Sequence, residues 1–98
     1  MSKDNELKPW IVTCGASGRC VVFGWSADEP QVGVPHKLLK AKMILRWAGS
    51  GGLFGVAANG PDKGSCITAA APSTTNTPVQ VLSVTAEAAV MMDEWPAC

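Results

Sequence analysis

The 98-residue chain predicts an α+β domain: a small antiparallel β-sheet with one or two short helices, the C-terminal helix after the last strand. Three observations carry this. Trp10-Ile-Val-Thr-Cys14 and Arg19-Cys-Val-Val-Phe-Gly-Trp25 are β-type runs on either side of Gly15-Ala-Ser-Gly18, which reads as a hairpin. Leu38 to Trp47 alternates over the length of a long strand. Val79-Gln-Val-Leu-Ser-Val84 reads as a strand, and Thr85 then offers an N-cap to a helix over residues 86–92.

Taken in order, residues 1–9 are a polar, flexible N-terminus and residues 10–98 a single α+β domain. In the second strand, alternation places Val21, Phe23 and Trp25 on one face and Cys20, Val22 and Gly24 on the other. Val32-Gly-Val-Pro-His36 predicts an edge strand, because Pro35 has no N–H for a central ladder. Leu38 to Trp47 predicts a strand with Leu39, Ala41, Met43, Leu45 and Trp47 facing the core. Its other face then carries Lys40, Lys42, Ile44 and Arg46, a basic stripe. Gly49-Ser-Gly-Gly52 ends that strand, and residues 53–58 suit a short helix. Cys66-Ile-Thr68 is a brief strand, and residues 69–78 read as a long polar loop. In the last helix Glu87 lies in the first turn, where the helix dipole favours a carboxylate, and Pro96 follows the stop.

Charge narrows the function classes. The formal net charge is zero, yet residues 32–64 hold five basic side chains against the single Asp62, while Glu87, Asp93 and Glu94 stand alone in residues 65–98. Broad duplex DNA binding asks for a net basic domain, so it is not expected. No apolar run approaches a membrane span, and the charged N-terminus with no apolar stretch behind it predicts no secretory leader. Cys14, Cys20, Cys66 and Cys98 form no CxxC pairs, so no metal is expected, and they read as reduced thiols.

The order of these elements resembles a small tailed-bacteriophage protein family of unknown function (DUF6948-like). The likeness rests on Val22-Phe23-Gly24, on Lys42 through Trp47-Ala-Gly49, on Leu53 to Gly60, on Val79 to Val84, on Thr85-Ala-Glu-Ala88 and on Trp95. It covers roughly residues 10–95. The stretch before Trp47 is less aromatic than the family pattern, and the insert at 70–78 is longer and richer in Ala and Thr. The resemblance implies a phage-encoded protein acting in the host cytoplasm, and it supplies no activity.

The residues themselves offer one ligand-binding constellation: Lys40, Lys42, Arg46, Trp47, Gly49, Ser50 and Gly51. The cations would hold phosphates, Arg46 in bidentate fashion, and Trp47 would stack on a base. The glycine run matches neither the dinucleotide fingerprint nor the P-loop. It reads either as a plain turn or as an anion cradle of backbone N–H groups. The stripe reads equally as a solvated face, and Trp47 as core or subunit interface. His36 is the only histidine, so a Cys–His or Ser–His pair would have to use it. No elbow motif, paired carboxylates or ligand cluster accompanies it, so neither an enzyme nor a cofactor is expected.

The expectation is a non-catalytic binding protein that antagonises a host defence, with sequestration of a nucleotide-type immune signal as one form. Direct inhibition of a host defence protein, or a place in the virion as a decoration or assembly part, are the alternatives. Four tryptophans in so short a chain also predict a homo-oligomer, because a small domain gains by burying them between copies.

Overall fold

The computed structural model describes residues 6–15, 20–47 and 51–98. Its elements are β1 (Lys8–Cys14), β2 (Cys20–Ser26), β3 (His36–Arg46), α1 (Gly52–Asn59), β4 (Cys66–Ile67), β5 (Ala71–Asn76), β6 (Pro78–Ser83) and α2 (Ala86–Asp93). The α+β class holds: every strand pairing is antiparallel, and α2 follows the last strand.

The sheet runs β4-β3-β2-β1-β6, and β5 pairs with β3 beside β4. Because β3 is eleven residues long, its free edge has room for both partners: β5 along His36–Ala41 and β4 at Ile44 and Arg46. Only Thr77 separates β5 from β6, yet β5 bonds to β3 and β6 to β1. This one-residue join ties together the two ends of the β1–β2–β3 meander and curls the sheet. Across the closure, the Cys14 thiol donates to Asn76 Oδ1 at 3.6 Å.

Curling gives the sheet two cores. Trp10, Val12, Cys14, Val22, Leu38 and Ala41 are buried on the concave side with no helix among them. The indole of Trp10 donates to the Ser26 carbonyl there, which satisfies its one polar atom. On the convex side Ile11, Val21, Phe23 and Ile44 pack with Ile67 and with Val56, Ala88, Ala89 and Met92 of the two helices. The alternation read for β2 is observed, with Val21, Phe23 and Trp25 convex and Cys20 and Val22 concave. Thr85 caps α2 by accepting from the Ala88 N–H, and its own hydroxyl donates to the Ala58 carbonyl at the end of α1.

The phase predicted for β3 is overturned. Phe23 pairs with Lys42, but Trp25 pairs with Leu39, so one extra residue of β3 is accommodated opposite Gly24. Lys40 sits in this bulge with φ 50, the one positive-φ non-glycine among the described residues. The extra residue exchanges the two faces of everything after it. Lys42 and Ile44 are therefore buried, whereas Met43 and Leu45 of the predicted core face are 41% and 56% exposed. Leu39 and Trp47 are half-buried, and only Ala41 of that set is fully inside. Gly24 makes the bulge possible, since a Cβ there would lie 2.7 Å from Leu38 Cβ.

Three further expectations are corrected. Residues 32–35 form a turn rather than an edge strand: Gly33 takes φ 83 and its N–H donates to the Pro78 carbonyl, while the Val34 N–H donates to the Gln31 carbonyl. Residues 71–76, predicted as loop, pair with β3, Thr74 opposite Leu38 and Thr75 opposite Lys37. Their composition is loop-like, and the free edge of β3 overrides it. Cys66 and Cys98 are joined in a disulfide, brought together because the tail bridges to Ile67 through Ala97. Cys14 and Cys20 remain free thiols facing each other across the β1–β2 pair. Among the described residues no helix is long and apolar enough to cross a membrane.

Candidate functional site

The bulge scatters the predicted basic stripe. Lys40 is exposed at the bulge itself. Lys42 points inward, and its ammonium donates to the carbonyls of Met92 at 2.9 Å, Asp93 at 2.7 Å and Trp95 at 3.5 Å. These carbonyls lie at and just beyond the C-terminal end of α2, a helix with no basic residue in its own last turn. Lys42 supplies the missing cation from a neighbouring strand, where the helix dipole favours one. All three donors of the ammonium are taken up, so Lys42 has nothing left for a ligand. Arg46 is exposed and donates through Nε to the Gly64 carbonyl at 3.1 Å.

Trp47 is half-buried against the convex core, in keeping with its reading as core. Gly51 takes φ 91 and precedes α1, which has no side-chain N-cap, so at this position the glycine serves a turn that L side chains rarely adopt. Gly49 and Ser50 lie outside the described residues. Of the seven predicted ligand residues, then, Arg46, Trp47 and Gly51 stay at the β3–α1 junction and Lys42 leaves it.

His36 does meet a serine. Its Nε2 lies 2.7 Å from Ser26 Oγ. The Ser26 hydroxyl, however, donates to the Asp28 carbonyl at 2.8 Å and accepts from the Asp28 N–H. With its proton committed there, Ser26 accepts from the imidazole, the reverse of what an activated nucleophile requires. The pair pins the turn after β2 to the start of β3. Among the described residues no group of three or more His, Cys, Asp or Glu gathers as a metal site.

Two openings among the described residues are mainly apolar. A pocket of about 270 Å³ lies where β4 and β5 part along β3, lined by Val22, Ala41, Lys42, Met43, Thr68 and Thr74 among others. Met43 and Leu45 stand on that face of β3. A groove of about 470 Å³ runs between α1 and β6, lined by Phe54, Ala57, Ala58, Val81, Leu82 and Thr85. Phe54 is 63% exposed, more than any other large apolar side chain described. Sequence reasoning centred on the cations missed both surfaces. A signal for the second was present: neither residues 51–60 nor residues 77–86 contain a charged side chain.

These features define a small α+β domain with a curled sheet, two apolar openings and dispersed cations. Over residues 7–92 the chain matches the domain of unknown function DUF6948, and it belongs to that family. No curated protein and no solved structure shows significant similarity to it.

Proposed function

We propose that this is a phage-encoded, non-catalytic binding protein that acts in the bacterial host cytoplasm as a homo-oligomer and antagonises a defence by engaging a host polypeptide. One observation carries the choice of a polypeptide over a nucleotide. The strand expected to cradle an anion commits the Lys42 ammonium to carbonyls at the end of α2, leaves Met43 exposed at the rim of a mainly apolar pocket and leaves Leu45 exposed two residues further on. Exposed apolar side chains beside a pocket suit a protein surface, where desolvated aliphatic contacts anchor binding. Among the described residues the nucleotide-sequestering form of the reading keeps Lys40, Arg46, Trp47 and Gly51 and loses the Lys42 ammonium to α2.

The test pairs two measurements. Purified protein is mixed with a panel of linear and cyclic nucleotides, removed by filtration, and the filtrate assayed. In parallel, wild type and Leu45→Glu are used to capture host proteins. The proposal expects an undepleted filtrate and a host polypeptide held by wild type and released by Leu45→Glu. Depletion of a nucleotide that is lost with Arg46→Ala, followed by its intact release on heating, would replace the polypeptide reading with sequestration.

A second reading, a virion decoration or assembly part, is favoured by the Cys66–Cys98 disulfide. Such bonds persist in oxidising surroundings and are rare in a reducing cytoplasm. Co-sedimentation with purified particles, and its absence from the soluble lysate, would select that reading.

A further inference from the structure

We infer that the free edge of β6, with the groove beneath Phe54, is the surface on which a second copy of this chain pairs, β6 running antiparallel to β6 across a two-fold axis. The inference rests on the homo-oligomeric part of the proposed function and names its interface.

The strand leaves half of its hydrogen-bonding capacity outward. β6 bonds to β1 along one edge, and among the described residues no strand pairs with the other. Among the described residues the backbone bond on its outer side is at the start, where the Pro78 carbonyl accepts from the Gly33 N–H. Proteins usually blunt such an edge with a lysine, an inward charge or a proline in mid-strand. Pro78 stands at the first position and the register with β1 slips at Val79, so proline and bulge both lie at the start of the strand, and Gln80-Val-Leu-Ser83 carries no such device. Unpaired N–H and C=O groups at this spacing specify an extended backbone as the occupant.

Charge chooses which extended backbone. The groove beside the edge is formed by α1 and β6, and the segments 51–60 and 77–86 that supply it hold no ionisable side chain, in a chain with sixteen Lys, Arg, Asp and Glu residues in all. A charged partner strand would be desolvated there without a counter-ion. β6 itself is uncharged, with Val79 53% exposed and Gln80 exposed, so it meets the requirement it sets. A second copy carries this strand at equal concentration, and a two-fold axis lets each Phe54 cover the other copy's groove, the self-complementary arrangement of an isologous dimer. The face bearing Met43 and Leu45 is on a different strand and stays free for the host polypeptide.

Sedimentation velocity over a concentration series, together with hydrogen exchange resolved by residue, tests the inference. The expected result is a species of two 10.2 kDa chains whose β6 amides gain protection as concentration rises. Phe54→Glu and Val79→Lys both lie at exposed positions, so their circular dichroism should match wild type while their mass falls to one chain. Leu45→Glu should remain paired. A wild type that stays monomeric at every concentration would overturn both the inference and the homo-oligomer reading. An oligomer whose β6 amides exchange freely, or that survives Phe54→Glu and Val79→Lys, would overturn the inference alone.

Discussion

The two halves of β3 bury their side chains on opposite faces of one sheet. Before the bulge, residues 36–39 place Leu38 in the concave core, with β5 at one edge and β2 at the other. After it, residues 42–46 bury Lys42 and Ile44 under the helices and leave Met43 and Leu45 outside. The residue types are similar in both halves, a mixture of lysines and aliphatics. What separates them is the single residue at φ 50. One local backbone conformation thus decides whether a lysine meets solvent, as Lys40 does, or caps a helix, as Lys42 does.

The most forceful way to break this contrast is Lys42→Met. The aliphatic stem is replaced, but the buried carbonyl of Met92 and the part-buried carbonyl of Asp93 lose a charge-assisted donor. The expected loss is about 3 kcal/mol of unfolding free energy, read from urea denaturation. Gly24→Ala attacks the bulge from the opposite strand. With only 2.7 Å between the new methyl position and Leu38 Cβ, backbone must shift, and a loss of about 2 kcal/mol is expected in the same assay.

Lys40→Gly should sharpen the contrast instead. Glycine adopts the left-handed conformation without the Cβ conflict, so this variant should gain about 0.5–1 kcal/mol despite glycine's greater freedom when unfolded. A loss there would mean that the Lys40 side chain has a role its exposure does not suggest. The smallest effect belongs to Leu45→Glu, which should change stability by less than about 0.5 kcal/mol because the side chain already faces solvent. A loss above that would return Leu45 to the core.

These expectations also mark what was legible beforehand. β2 announces its faces because Cys-Val-Val-Phe-Gly-Trp follows a glycine-containing segment and contains no competing phase. The α2 cap is equally local, a Thr before an Ala-rich run. β3 is different, because Leu38-Leu-Lys-Ala-Lys-Met-Ile-Leu45 supports either phase once an extra residue is allowed. Nothing within the segment tells that Gly24, on another strand, makes room for it. β5 was hidden for a related reason: Pro-Ser-Thr-Thr-Asn becomes a strand only when the free edge of β3 is beside it. Cys66 and Cys98 lie 32 positions apart and meet through the path of the tail, which no local spacing encodes. The candidate site suffered most, since its cations were placed together by the phase that the bulge reverses.

The one-residue join at Thr77 has a consequence for assembly in time. The β1–β2–β3 meander can form from neighbouring segments, whereas Trp10 finds Ser83 only after most of the chain has been gathered. Such distant pairing raises contact order, and the entropy of closing so large a loop is lost before its contacts form. Because Thr77 couples β5 to β6 without slack, the pairing of one with β3 positions the other beside β1. The two ends of the meander are therefore brought together as one event, and a chain caught short of it exposes the concave apolar face from Trp10 to Ala41.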